Sequence, residues 1–293
     1  MADIQVGSTV PRRQLGRYLR DLRSAAGLTV RAAARDLERS EPTIWRIESG
    51  LTSTRSVEVK LMCELYGATA EMTAALMALA KETKARGWWQ AYGDVVPEWM
   101  DLYIGLEAAA NRISWYEPDL VPGLFQTGDY ARALLRDDLP DRSEDEVDRR
   151  VQVRLTRQAI LRRPIDPPLL RVVIRESVLR CPVGGNKVMA TQLERLAEVS
   201  ELPNVALRVV PFSAGLHAGM QSGSFEILRF PLNGNGEDSE PPTVYAEQYT
   251  GVLYLDKPHE VARYDQALGT IWEASLDENA SRALLHEAAE ELR

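Results

Sequence analysis

A chain of 293 residues is long enough for two domains, each with a core of its own. With 45% hydrophobic and 27% charged residues it reads as ordinary globular protein, and no apolar run approaches the roughly 18–20 residues that span a bilayer. A net charge of −8 argues against a nucleic-acid partner until it is divided: residues 1–66 hold 11 basic and 8 acidic residues, about +3, and the remainder holds 24 and 35, about −11. A modestly basic head on an acidic body suits a chain whose head can meet phosphate while its body avoids casual adhesion to it. The stretch Met1–Ser8 has no basic region followed by an apolar one, so no secretory signal is expected. Cys63 and Cys181 with three histidines supply neither a disulfide framework nor a zinc cage. Cys63, among apolar neighbours, reads as a small buried hydrophobe. The expectation is a cytoplasmic protein with no cofactor and no bound metal.

Residues 12–26 place Leu15, Tyr18, Leu19 and Leu22 at helical spacing, and Gly27 is a natural stop. Thr29 caps a second helix to about residue 37, in which Ala33 and Ala34 permit a close helix crossing. Ser40 caps a third helix, about 41–49, with Pro42 in the first turn, where a missing N–H costs nothing. Ile44 and Ile47 turn one face inward, and Gly50 ends the helix. Ser56 opens a fourth helix with Val57, Leu61 and Leu65 on one stripe, stopped by Gly67. Thr69 opens a fifth with Met72, Leu76 and Leu79. These helices make a self-contained domain over residues 1–80. Residues 81–99 read as a junction: a charged run from Lys81 to Arg86, then Gly87, then Trp88-Trp89, a pair that suits interdomain packing.

Residues 100–293 mix helix and strand. Strands are expected at Ile113–Tyr116, Leu169–Arg175, Val205–Val210, Ser224–Phe230, Val244–Gln248 and Val252–Leu255. Thr127 caps a helix to about Arg136, and Ser143-Glu-Asp-Glu146 is a capping box for a charged helix to about Arg162. Further helices are expected over Asn186–Leu202 and His259–Ala274, with Ser275-Leu-Asp-Glu278 as a capping box for the last. Residues 233–242 are a polar loop. The predicted fold class is α plus α/β: a five-helix N-terminal domain, then a mixed helix and sheet C-terminal domain.

Residues 12–80 resemble the helix-turn-helix of phage repressors and Cro, the xenobiotic-response-element family. The resemblance rests on Leu28-Thr29, Ala33-Ala34, Ile44, Arg46-Ile47-Glu48 and Gly50. Glu38 stands where that family usually has glycine in the turn, which removes glycine's freedom at positive φ. The resemblance implies that the third helix enters the DNA major groove. Its outward face then carries Glu41, Pro42, Trp45, Arg46 and Ser49, flanked by Thr43. Arg46 suits guanine O6 and N7, and Glu41 suits a cytosine amine. Trp45 fits either a thymine methyl or sugar edge, or packing on the first helix. Thr43 is counted with Glu41, Trp45 and Arg46 as a base-contacting candidate and can also reach a phosphate, and Glu48 suits an internal salt bridge with an arginine of the first helix. Thr29, Arg31, Arg39 and Arg55 are candidates for phosphate contact. One head buries little DNA, so a homodimer on an operator with two half-sites is implied.

Residues 88–290 resemble the C-terminal half of an actinobacterial, antitoxin-like class of such regulators. The matching series is Trp88-Trp89, Val121-Pro-Gly-Leu-Phe-Gln-Thr127, Asp129-Tyr130-Ala131, Arg154, Arg157-Gln158, Glu176, Val183-Gly-Gly185, Gln192-Leu193, Val209-Val-Pro211, Gly215-Leu-His217 and Tyr245-Ala-Glu247. The resemblance assigns that half no reaction and implies a small protein partner encoded nearby. Three readings of the half stand side by side. A partner module would use an exposed groove near Pro122-Gly123-Leu124-Phe125. A ligand sensor would draw on Arg154, Arg157, Glu176 and His217. A hydrolase-like site would use Glu176, His217 and Glu247, but their spacing matches no nucleophile, metal or phosphate motif. The chain is therefore read as a regulator and not an enzyme, without catalytic residues.

Overall fold

The computed structural model describes residues 10–82, 88–92, 94–96, 98–164, 166–232, 240–249 and 251–293. The chain divides into two compact units, Met1–Ala109 and Ala110–Arg293. The division falls after a helix that the sequence reading did not expect and that belongs to the first unit.

The first unit contains α1 (Val10–Ala25), α2 (Val30–Asp36), α3 (Glu41–Glu48), α4 (Ser56–Leu65), α5 (Ala70–Glu82) and α6 (Glu98–Ala109). Side-chain caps start three of these helices: Thr29 accepts from Ala32 N at 3.1 Å, Ser40 from Thr43 N at 3.3 Å, and Thr69 from Met72 N at 3.2 Å. Leu15, Leu19, Ala33, Ala34, Ile44 and Ile47 share one buried core with Val59, Met62, Cys63 and Leu76. The stripe expected on α4 is corrected: Val57 and Leu61 are exposed, while Val59, Met62 and Cys63 turn inward. Helix α4 is apolar on two sides, so its periodicity alone does not choose the buried one. Two glycines are needed sterically. A Cβ on Gly16 would lie 2.7 Å from the carbonyl oxygens of Ile47 and Glu48, so α1 and α3 touch through backbone there. A Cβ on Gly50 would lie 2.7 Å from Arg13 Cα, and its φ of +70° also suits glycine. Trp89 is buried in this unit, and its indole N–H donates to Asp101 of α6 at 2.5 Å. Asp101 also accepts from Arg12 of α1 at 2.6 Å. Of the expected junction, residues 83–87 lie outside the described ones.

The second unit is built on a six-stranded mixed sheet. Its strands are β1 (Arg112–Glu117), β2 (Leu169–Arg175), β3 (Val205–Val210), β4 (Phe225–Arg229), β5 (Thr243–Gln248) and β6 (Gly251–Leu255), in the spatial order β3-β2-β1-β4-β5-β6. The pairs β1–β2 and β2–β3 are parallel, and the pairs from β1–β4 outward are antiparallel. Parallel neighbours need long crossovers. The first carries α7 (Gly128–Asp138) and α8 (Glu144–Arg157), and the second carries α9 (Glu176–Arg180) and α10 (Asn186–Val199). A short α11 (Gly219–Ser222) lies between β3 and β4, and α12 (Pro258–Ala274) and α13 (Glu278–Glu291) follow β6. Helix α12 packs Val261, Leu268 and Ile271 against Tyr116, Val173, Phe225 and Val244 of the sheet. The inner strands are buried along most of their length, which is why they read as apolar runs. The charged helix expected to run to Arg162 is α-helical to Arg157 and continues as a tighter 3-10 turn. The cap of α13 is corrected from Ser275 to Asp277, whose carboxylate accepts from Ala280 N at 2.8 Å. Of the expected polar loop, residues 233–239 lie outside the described ones. This topology sends the carboxyl ends of β1, β2 and β3 to one edge of the sheet, the usual place for ligands in open parallel sheets.

Candidate functional site

The outward face of α3 is assembled from its supports. Ser40 caps the helix, and its hydroxyl also lies 2.8 Å from that of Thr43, so Thr43 is partly engaged at the helix start. Ile44 and Ile47 are buried, which turns Glu41, Pro42, Trp45 and Arg46 to solvent. Trp45 is 54% exposed, which removes the alternative of packing on the first helix. Glu48 is 4% exposed and is clasped by Arg23 of α1, whose Nε and Nη2 donate at 2.7 and 2.8 Å. Tyr66 adds a longer hydroxyl contact to the same carboxylate at 3.5 Å. Burial and the Glu48 charge push the Tyr66 hydroxyl well above its usual range, so it stays protonated and donates. The fork from Arg23 and the bare backbone contact at Gly16 hold α3 at a fixed height on α1.

Positive charge surrounds that face. Arg31 at the start of α2 is 87% exposed at its side chain and approaches Glu41 at 3.9 Å, an exposed pair worth little. Arg39, in the turn between α2 and α3, donates to Glu58 of α4 at 2.8 Å. Burial opposes ionisation of Glu58, but hydrogen bonds from Arg39 and Thr54 outweigh it and hold the carboxyl below its usual range. Arg55 is exposed at the start of α4, and Thr29 caps α2 with an exposed side chain. Glu41, Thr43, Trp45 and Arg46 thus share one helix, with Thr29, Arg31, Arg39 and Arg55 on the elements around it. The turn itself departs from glycine as expected: Glu38 adopts a φ of +54°. The bond from Arg39 N to Ala34 O at 2.8 Å closes a helix C-terminus of the Schellman type around it.

The second unit does not gather its six candidate residues into one site. Phe125 is fully buried and is corrected from a docking surface to a core residue. Leu124 is equally buried, so the segment Pro122–Phe125 offers no exposed groove. Gln192 donates to Phe125 O at 2.9 Å, and Gln126 donates to Val121 O at 2.7 Å. Arg154 donates to Gln126 Oε1 at 2.7 Å, and Arg157 is buried beside Gly123, so these arginines belong to the same lock. Glu176, just after β2, accepts from Phe212 N at 2.8 Å and lies 3.5 Å from Arg180. His217 is nearly buried and accepts at Nδ1 from Gly219 N at 3.2 Å. Burial, then the Arg175 charge, hold His217 below its ordinary value. Glu247 lies on β5, three strand spacings from β2 or roughly 14 Å, and accepts from Tyr245 at 3.2 Å. Glu176 and His217 therefore share the carboxyl edge of the parallel strands, Phe125, Arg154 and Arg157 share a structural lock, and Glu247 stands apart from both groups.

Sequence reasoning did not single out the residues that finish that edge. A cleft of about 250 Å³ is lined by Arg175, Val210, Pro211, Phe212, Gly215, Leu216, His217 and Met220. Beside it, at the end of β1, Glu117 accepts from Ser224 Oγ at 2.8 Å, and burial raises its carboxyl to about 7. Arg175 and Glu117 close two of the expected strands or lie just beyond them. Knowledge that those strands run parallel would have marked them.

Among the described residues no helix is long and apolar enough to cross a membrane. Residues 14–76 match the family described as a helix-turn-helix domain, which agrees with the arrangement of α1 to α5. Residues 100–287 match the Domain of unknown function (DUF5753). No curated protein matches the chain, and no solved structure does. With that match covering more than half of its length, the chain belongs to the DUF5753 family and carries a helix-turn-helix domain at its head.

Proposed function

We propose that the protein is a sequence-specific DNA-binding transcriptional regulator, cytoplasmic and homodimeric, and not an enzyme. The observation that carries this reading is the exposed edge of α3, with Trp45 and Arg46 outward on a helix anchored by the Arg23–Glu48 fork. A rigid helix with an arginine on its outer face and further arginines on flanking turns has the parts for base reading and phosphate positioning. Arg46 reads a guanine, Glu41 a cytosine amine, and Trp45 a thymine methyl, with Thr43 at the edge. Thr29, Arg31, Arg39 and Arg55 meet phosphates. The head is of the phage-repressor type, and the body is of the antitoxin-like class and receives a small protein partner. Both assignments rest on the sequence resemblance.

A second reading, in which the body receives a small molecule, is favoured by the cleft at the carboxyl ends of β2 and β3. Selection of bound fragments from random duplexes with the full chain tests the main proposal. The expected product is one enriched site with two-fold symmetry. A pool that stays unenriched at physiological ionic strength would sink it.

A further inference from the structure

We propose that the cleft at the carboxyl ends of β2 and β3 is a binding site for a carboxylate carried on a short apolar body, with Arg175 and His217 as its donors. The inference rests on the second reading above, in which the body receives a small molecule.

The polar side chains that line the cleft are Arg175 and His217. Arg175 ends β2 and lines the cleft, and among the described residues no carboxylate is paired with its guanidinium. Glu176, next in the chain, is committed to Phe212 N and Arg180. His217 uses Nδ1 to accept from Gly219 N, so in the neutral ring the proton sits on Nε2, which can only donate. Burial and the Arg175 charge disfavour a second proton on that ring. The Tyr116 ring meets that of His217 edge-on, with centroids 6.2 Å apart. Its hydroxyl is buried without a hydrogen-bond partner, an arrangement that native interiors rarely leave unanswered. Gly219 is required here, since a Cβ would lie 2.4 Å from that hydroxyl.

The remaining walls are apolar, and three of them are bare: Phe212, Leu216 and Met220 are 60%, 83% and 55% exposed. At about 250 Å³ the space equals roughly eight water volumes, so the occupant is small. Two donors without a carboxylate partner, lining one cleft with exposed hydrocarbon, match an anion with an apolar tail. A phosphate would leave the apolar walls unused, and a neutral hydrocarbon would leave Arg175 desolvated without a counter-charge. In the wider groove between α11 and α12, lined by Gln221, Arg263 and Tyr264 among others, Arg263 is exposed and keeps its water, unlike the half-buried Arg175.

A free acid and the last residue of a polypeptide present the same chemistry, and the test separates them. The full chain is titrated calorimetrically with hexanoate, 1-hexanol, hexylamine, and a leucine-terminated tripeptide as free acid and as amide. Hexanoate is expected to bind roughly ten- to hundredfold more tightly than hexanol, the range for a hydrogen-bonded charge. Preference for the tripeptide acid over both hexanoate and its own amide would identify a chain terminus as the source. Arg175→Gln should abolish the preference for carboxylate. Leu216→Asp, at an 83% exposed rim position where folding is not at stake, should weaken hexanoate at least tenfold and hexanol less, since hexanol loses the apolar wall but meets no charge repulsion. Equal binding of hexanoate and hexanol, no binding of any carboxylate at millimolar concentration, or hexanoate affinity unchanged in both variants would overturn the proposal. Duplex binding is measured separately on the same protein, so loss of the regulator reading and loss of the cleft are distinct results.

Discussion

At the scale of single residues, the outer and inner faces of α3 carry separable consequences. Arg46 stands on the solvent face of α3, proposed to read bases, and Arg31 at the start of α2, proposed to meet phosphate, so their removal should differ in kind. Arg46→Ala is expected to cost about 1–3 kcal/mol on the selected site and to relax one base position. Arg31→Ala should weaken all duplexes alike and make the salt dependence shallower by about one unit, as read from titrations at several salt concentrations. On the inner face, Arg23 and Glu48 are 11% and 4% exposed at their side chains. Arg23→Leu strands a buried carboxylate and should cost about 3 kcal/mol in urea unfolding. The double replacement with Glu48→Leu should recover most of that loss, because the pair's Coulomb attraction is largely spent on desolvation. In the second unit, burial raises the Glu117 carboxyl from 4.5 to about 7. The folded state then binds that proton more tightly than the unfolded state, so stability falls as pH rises from about 4.5 through about 7. The full shift corresponds to about 3 kcal/mol, and residual solvent access trims it to about 2. Glu117→Gln should therefore unfold like the parent at pH 4 and be about 2 kcal/mol more stable at pH 8.

At the scale of elements, the α2–α3 turn is the place where local preference and fold disagree. Gly27, Gly50 and Gly67 hold positive φ after α1, α3 and α4, and Glu38 does the same after α2 without being glycine. Glu38→Gly should raise the denaturation midpoint by an amount equivalent to about 0.5–1 kcal/mol while leaving the selected DNA site unchanged. The turn was legible because it is local: Thr29 and Ser40 mark helix starts, and the three glycines mark helix ends within a few residues of them. Caps and stops depend on nearest neighbours, so a sequence displays them directly. Side choice is less local. Val57 and Leu61 repeat as regularly as Val59 and Cys63, and only the rest of the head decides which pair is covered. Helix α6 went unseen because Leu102, Tyr103, Ile104 and Leu106 are buried around its circumference, which leaves no polar stripe to reveal a period. Sheet order was the least legible feature. The pairing of Trp115 with both Val172 and Glu226 joins residues more than fifty positions apart, and nothing within β1 states which neighbour is parallel. The outward residues of α3 were readable because one helix presents them to solvent. The cleft was not, because Arg175 and His217 meet only after β2, β3 and the loop beyond β3 are assembled.

At the scale of the whole molecule, charge and copy number are expected to set how strongly the proposed regulator holds DNA. The first 66 residues carry about +3 and the rest about −11, so a single chain gains little from bulk electrostatics and depends on cations placed around α3. On the proposed reading each head brings three arginines to phosphate, Arg31, Arg39 and Arg55. One head should then give a log–log salt slope of roughly −3, and two heads on one site roughly −5. A homodimer of the proposed kind would also have to fit the duplex: half-sites on one face lie about 10–10.5 base pairs apart, centre to centre. Footprinting and salt titration on the selected site therefore test the same claim in independent ways. A two-fold footprint of that spacing with the steeper slope is the expected pair of results. A footprint of one half-site with a slope near −3 would show that a single head suffices, and the acidic body would then leave the affinity for other duplexes lower still.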